Sequence, residues 1–369
     1  MYLKPSKRKK ARMRTVWIIA IAVIAAGVVA LLFFLGVFSM FALSGNINAM
    51  DQYLPDTVFA NENGILYNES DTLHLLDNDG LEKWNLALEM EGSQTVTSPD
   101  LICNYAGKAM QVMTYTKEQM FSTSIDTDIL DAAVGTEAVA ILTQGTVEET
   151  GALDYRVSLF NTSGEQTGQI PMSGRQMVDF GFYGDTDIFW ILSLDTANVL
   201  PVSYISTYKL DATMTGNIMI NTQIVDGVYV TGNTIFVTGT NSITSYTYFG
   251  ETQAEKQVYG WKPAAQSVGA NAFKLAYVPR SGVQEIEAAR VFSADLIDTH
   301  IRLPRNVFSM AVTQERLYAF SAENVYVYML DGQLEKTIPT DTQIVKVKQL
   351  SDDFAVLWDQ QKSYIMALQ

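Results

Sequence analysis

The stretch LHLLDNDGLEKWNL, Leu73 to Leu86, sets Asp77, Asn78, Asp79 and Gly80 between two apolar runs. Two structures give rise to such a pattern: a calcium loop, or the tight turn of a β-hairpin. An EF-hand-type loop needs oxygen ligands at positions 1, 3, 5 and 12, and glycine at 6. Counted from Asp77, position 3 is Asp79, but glycine falls at 4, Leu81 at 5 and Leu88 at 12. The bidentate glutamate is missing, so the calcium reading fails. Asp-Gly between apolar runs is instead a tight-turn signal, and Leu330-Asp331-Gly332 repeats it in an equivalent setting.

That repetition extends along the chain. Polar turns recur at NENG (61–64), TSPD (97–100), GTEA (135–138), GDTD (184–187), TGNT (231–234), GANA (269–272), TQER (313–316) and SDDF (351–354). Each is followed by an apolar strand such as LICNYAG or IFWILSLD, then by a partner strand such as MQVMTYT or VYVYMLD. Marked at Asn63, Asp100, Glu137, Asp187, Asn233, Asn271, Glu315 and Asp353, the units are 37, 37, 50, 46, 38, 44 and 38 residues apart. A propeller blade of four short strands takes about 40–50 residues. The strands are rich in Tyr, Phe, Val, Ile and Thr, which suit a pleated, half-buried surface. The expectation is an all-β chain folded as a β-propeller of about eight four-stranded blades. Seven blades is the alternative if one hairpin is overcounted, and an irregular β-sandwich is the competing architecture. The last unit, QIVKVKQLSDDFAVLWDQQKSYIMALQ, supplies only three strands. INAMDQYLPDTVFAN, far upstream, offers the missing one and would hide the sheet edges.

The charge is split. The formal total is −15, yet residues 1–14 carry seven cations: Lys4, Lys7, Arg8, Lys9, Lys10, Arg12 and Arg14. Removing these from the 25 Lys and Arg leaves 18 against 40 acidic residues, a formal −22 from Asp51 onward. Between the zones, Val16 to Leu43 contains no charge. A bilayer core needs about 20 apolar residues in a helix, so 15–44 reads as a transmembrane helix. A cleaved signal peptide is the rival, but its apolar region would run only about 7–15 residues. Basic flanks stay cytoplasmic, which places 1–14 inside as a basic tail, 45–56 outside as a linker with a closing strand, and 57–369 outside as the propeller. Trp17 sits where an interfacial aromatic would, and Lys7 through Arg14 flank the anchor next to the lipid head groups. The single cysteine, Cys103, leaves no internal disulfide and reads as a buried small hydrophobe.

The units LHLLDNDGLEKWNLAL and VYVYMLDGQLEKTIP resemble degenerate PQQ-like or WD40-like propeller repeats. The whole layout resembles a family of single-pass, membrane-anchored propeller proteins of Gram-positive bacteria. More distantly it resembles the eight-bladed lipoprotein scaffold of outer-membrane assembly, although nothing here matches a lipobox. Quinone-cofactor dehydrogenases of related fold commonly use a vicinal cysteine pair, a tryptophan floor and calcium. One isolated cysteine departs from that pattern, so no cofactor is expected.

Catalytic signatures are sparse. G-x-S-x-G, G-x-G-x-x-G and the Gly-Lys-Ser/Thr phosphate loop are absent. Two histidines, His74 and His300, with one cysteine do not make up a usual transition-metal site. An acidic outer segment repels nucleic acid. Five of its seven arginines fall between 280 and 316. Arg280, Arg290, His300, Arg302, Arg305 and Arg316 form the candidate patch for an anionic partner, since guanidinium groups suit carboxylates and phosphates. In DTHIRLPR, alternation puts His300 and Arg302 on one face of an outer strand. The function expected is a non-enzymatic scaffold at the cell membrane, binding an envelope protein or a wall polymer. The alternatives are a propeller that binds or senses a small ligand in its channel, and a quinoprotein-like enzyme.

Overall fold

Among the described residues thirty-two short strands form eight four-stranded sheets, and in seven of these the neighbours are successive strands. The computed structural model describes residues 47–50, 52–146, 153–172, 174–183, 188–197, 201–269, 272–280 and 285–368. The basic tail and the predicted helix 15–44, with Lys7, Arg8, Lys9, Lys10, Arg12, Arg14 and Trp17, lie outside the described residues. So do the turn GDTD and residues 270–271. Among the described residues no helix is long and apolar enough to cross a membrane.

The sheets are the blades of a propeller, and the count of eight holds. The first strands, which adjoin one another around the axis, are Val58–Asn61, Gln94–Thr97, Ile129–Val134, Gln176–Phe182, Val225–Thr231, Trp261–Gly269, Ser309–Val312 and Lys346–Gln349. Seven blades are continuous in sequence. The eighth takes its fourth strand, Ile47–Ala49, from upstream of blade 1, beside Ser363–Ala367.

Two-sided burial explains the strand composition. The second strand of blade 2, Leu101–Ala106, is buried at five of six positions, and that of blade 7, Arg316–Phe320, at four of five. Both faces of each sheet meet a neighbouring blade, so these strands read as continuous apolar runs rather than alternating ones. One cluster joins Ala140, Leu159 and Ile170 of blade 3 to Phe180, Phe189 and Ile191 of blade 4. Equivalent clusters link blades 4 to 5 and 6 to 7. Fourth strands lie at the periphery and alternate, as in Glu82–Ala87.

The stretch Leu73–Leu86 is the third strand, turn and fourth strand of blade 1. Asp77 N donates to Leu81 O at 2.8 Å and Gly80 N to Asp77 O at 3.0 Å. The Asp77 carboxylate accepts from Asp79 N and Leu81 N, at 3.0 and 2.8 Å. It binds its own backbone. The same pair of backbone bonds closes the third-to-fourth turn in all seven continuous blades, starting at Asp77, Thr114, Asn161, Lys209, Thr247, Ser293 and Met329. In every case the fourth residue is left-handed: Gly80, Lys117, Gly164, Ala212, Gly250, Leu296 and Gly332.

Blade 8 lacks this turn, and the seam is fastened differently. Leu54 N donates to Ser363 Oγ at 2.8 Å, and the Trp358 indole N–H donates to Leu54 O at 2.8 Å. Leu54, Ser363 and Trp358 are all fully buried. Met50 N bonds Ser363 O at 2.8 Å, and the Met50 side chain packs so close to Gly80 that a Cβ there would lie 2.5 Å from its sulfur.

Two substitutions test the turn and one the seam. Gly80→Ala should lower stability by about 1–2 kcal/mol through the left-handed backbone alone. Ala212→Gly should raise it by about 0.5 kcal/mol, the relief of the same strain less the greater freedom of unfolded glycine. Leu54→Ala should cost about 2–5 kcal/mol as a buried cavity mutation. Urea unfolding of the purified protein measures all three.

Candidate functional site: the central channel

The first strands of blades 3 to 6 each slip register by one residue against the second strand, at Ile129/Asp131, Met177/Asp179, Val225/Gly227 and Pro263/Ala265. A bulge leaves the extra residue unpaired and re-aims its side chain. The residues passed over are Leu130, Val178, Asp226 and Ala264, and all four are exposed. They sit near the start of their strands, at one mouth of the channel. Ile224 and Val345, just ahead of the first strands of blades 5 and 8, are 66% and 52% exposed. The mouth therefore presents large apolar side chains, Leu130, Val178, Ile224 and Val345, where the chain passes from one blade to the next. Leu81, Phe249, Ile297 and Met329 are exposed too, but they belong to the outer turns of the opposite face.

Three carboxylates share this mouth. Asp131 accepts from Ala132 N at 2.8 Å and from the Tyr105 hydroxyl at 3.4 Å. Asp179 accepts from Phe180 N at 2.8 Å, and Asp226 is ion-paired with Arg280. Asp179 is open to solvent yet hemmed in by protein. That burial, with the Asp131 charge behind it, lifts its carboxyl above the usual range, while the Phe180 N–H works against the rise. Arg175, in the adjoining loop, stacks over the Tyr204 ring at 3.8 Å.

A cavity of about 750 Å³ lies between the first strands of blades 6, 7 and 8, with Tyr229 of blade 5 on one side. Its lining residue Asp352 belongs to a set of bonds that crosses three blades. Ser267 Oγ of blade 6 donates to Asp352 Oδ2 of blade 8 at 2.5 Å, and Gln314 Nε2 of blade 7 donates to Ser267 O at 3.1 Å. The Gln349 side chain bridges blades 8 and 7 by accepting from Val312 N at 3.0 Å and donating to Val312 O at 2.7 Å. Lys348 lines the same space. Its ammonium donates to Asp56 O at 2.8 Å and Val58 O at 3.1 Å. Burial pushes its pKa below the usual lysine value.

Of the arginine set predicted from sequence, the structure brings Arg290 and His300 together on Asp298 and sets Arg302 on the same strand face as His300, while Arg280, Arg305 and Arg316 meet other carboxylates. Arg290 is buried, with Nε on Asp298 Oδ2 at 2.8 Å, and its guanidinium stacks over Phe292 and Trp261. Asp298 also receives Lys256 at 3.2 Å and His300 at 3.3 Å. Burial alone would raise the Asp298 carboxyl, but the hydrogen bonds from Arg290 and Lys256 hold it below the usual range. Arg316 contacts Glu335 at 2.7 Å and Glu315 at 3.3 Å, and Arg305 lies 3.9 Å from Glu287. Arg302 is exposed, on the same face of its strand as His300. Sequence spacing located these cations but not the carboxylates folded against them. The bulged residues of the channel mouth escaped the sequence reading altogether, because first strands show no alternation and a bulge has no residue signature.

His74 stacks on Tyr67 with ring centroids 4.9 Å apart, and its Nδ1 is 2.7 Å from Glu82 Oε1. Cys103 is fully buried, and burial lifts its thiol to about 12. Among the described residues no three His, Cys, Asp or Glu side chains gather in a group suited to a metal ion.

No protein-family model and no curated protein matches the sequence. Solved structures do. BamB from Moraxella catarrhalis aligns with a TM-score of 0.51 at 9% identity, over 87% of this chain and 98% of that one. The WD40 domain of SCAP from fission yeast aligns with a TM-score of 0.57 at 8% identity, over 87% and 98%. AztD from Citrobacter koseri aligns with a TM-score of 0.53 at 10% identity, over 82% and 90%. At these identities the likeness is one of fold.

Asp179 supplies a pH test. Its raised carboxyl favours the protonated form in the folded state, so its charged form costs stability once the pH exceeds the unfolded value. Asp179→Asn should therefore raise the melting temperature at pH 7, and the gain should fade as the pH falls toward about 4, where an unfolded aspartate takes up its proton. Melting curves of wild type and variant across that range check it.

Proposed function

We propose that this chain is a binding scaffold of the cell envelope, anchored by residues 15–44 and docking a protein partner on the channel mouth of blades 3 to 5. The observation that carries the reading is the set of exposed apolar side chains at that mouth, two of them, Leu130 and Val178, displaced from their ladders by bulges. Apolar side chains gathered at one place on a rigid frame, with charged residues around them, have the make-up of a protein interface. Asp131 and Asp179 beside Leu130 and Val178 favour a partner segment that is apolar and basic. The channel mouth is preferred to the arginine set because Arg280, Arg290 and Arg316 already face carboxylates, leaving Arg302 without an ion pair among the described residues and Arg305 exposed beside Glu287. Membrane attachment and the outside location rest on the charge-free run Val16–Leu43 and the cations ahead of it. The layout that resembles membrane-anchored propellers of Gram-positive bacteria supports the same placement.

Binding is favoured over catalysis by where the strongly perturbed groups lie. Tyr67, Tyr115 and Tyr318 are pushed up to about 12 chiefly by burial between blades, a consequence of packing rather than of a reactive cleft.

A photo-crosslinking residue at Val178 or Ile224, in the full chain in its native membrane, should give a discrete adduct that Met219, on the outer strand of blade 4, does not. Adducts absent from both mouth positions, or equal at Met219, would sink the docking site. Changing Arg302 and Arg305 to Glu should leave the adduct intact. Location is tested separately. Thr222→Cys should react with a membrane-impermeant maleimide on intact cells, with little background from the buried Cys103. Labelling only after lysis would refute an outward-facing propeller.

A further inference from the structure

We infer that the channel cavity between blades 6, 7 and 8 is a second binding site, for a small organic acid that carries hydroxyl groups. The inference stands apart from the docking mouth of blades 3 to 5, although Ala264, bulged at the same mouth in blade 6, also lines this cavity. The cavity, at about 750 Å³, falls in the size range of small-molecule sites. Its frame is preformed: Ser267 and Gln314 behind the lining join with Asp352 to tie three blades, and Gln349 joins two of them again along the wall.

Lys348 decides the charge of the ligand. It is the cation of this cavity, and among the described residues it makes no ion pair within 4.0 Å, although every arginine of the predicted patch except Arg302 does. An ammonium has three donors; Lys348 uses two on the backbone oxygens of Asp56 and Val58, and its ammonium also lies over the Phe59 ring at 5.8 Å. Holding a charge there without a counter-charge is unfavourable, consistent with its lowered pKa. An incoming carboxylate would supply the missing partner in a place where water screens it poorly. The neighbouring charges are Asp56, whose carboxylate is paired with Lys346, and Asp352, which already accepts from Ser267.

The remainder of the lining sets what is attached to the acid. Asp352 keeps acceptor capacity after its bond to Ser267, which suits a hydroxyl and repels a second anion. Gln266 and Ser309 offer further polar groups, and Pro263, Met310 and Val347 supply apolar wall. One anionic end facing Lys348 and a hydroxyl-bearing body facing Asp352 match a sugar acid better than a phosphate ester or a dicarboxylate.

The test uses the full-length protein in detergent, with D-glucuronate as probe and D-glucose as its uncharged counterpart. Glucuronate should raise the melting temperature in a saturable way, and glucose should not. Lys348→Gln should weaken glucuronate binding at least tenfold by calorimetry. Ala264→Phe, which adds bulk to the lining without touching Lys348, should weaken it as well. If the Lys348 variant proves unstable, the Ala264 variant and the comparison of the two sugars still decide. Equal effects of the two sugars, no effect of either, or unchanged glucuronate affinity in Ala264→Phe or in a folded Lys348→Gln would overturn the proposal.

Discussion

Everything in this ring depends on one seam. A blade is an apolar sheet on both faces, so no blade is stable without a neighbour on each side, and a row of such blades has two unsatisfied ends. Closing the row removes both. The chain closes it by pairing Ile47–Ala49 with the last strand and by seating Leu54 against Trp358 and Ser363, residues more than 300 positions away. The two hydrogen bonds at Leu54 satisfy its own N–H and C=O at a position with no access to water. They therefore matter more than their number suggests, since a buried backbone group left unpaired costs about 1–3 kcal/mol. The same seam covers the outer edge of the final strand, which would otherwise be open for pairing with another chain.

The Asp77–Gly80 turn sits against this seam through Met50. Its acidic residues direct their charge inward, onto backbone N–H groups, which is why a metal loop and a turn look alike in sequence and differ completely in space. The turn marks the blades because the local geometry recurs, but the geometry is more regular than the residues. Four blades place glycine at the left-handed position, and two of them, at Gly80 and Gly332, were read from the Asp-Gly pair. Blades 2, 4 and 6 place Lys117, Ala212 and Leu296 there. In these the tertiary frame imposes a backbone the residue does not favour, and no sequence rule would mark the site. The blade count was nevertheless legible, because second and third strands are buried on both faces and so produce long apolar runs.

The first strands were not legible, for a related reason. They have one side in the channel and one against other strands, and segments such as Lys346–Gln349 are short and polar. Their function depends on what faces the channel, and that is set by bulges. A single extra residue turns Val178 outward and leaves Asp179 beside it. The surroundings of the arginine set were hidden for the opposite reason. Cations are visible in sequence, whereas the carboxylates that meet them come from other strands: Asp298 from the next strand for Arg290, Glu335 from two strands on for Arg316, and Asp226 from the preceding blade for Arg280.

A rigid ring makes these channel features useful. The seven repeated turns and the closed seam hold every first strand in place, so a bulged side chain keeps its position without needing a partner to order it. Binding then costs little conformational entropy on this side. The same rigidity lets Lys348 remain inside without a counter-charge, because relaxing toward one would mean pulling it off the backbone oxygens that tie blade 8 to blade 1. The lysine is thus both part of the closure and the unbalanced charge of the channel. Whatever anion occupies the cavity would bind beside the seam, and its occupancy would add to the stability of the closed ring by mass action. Ligand in the channel and integrity of the scaffold would then be linked through one side chain.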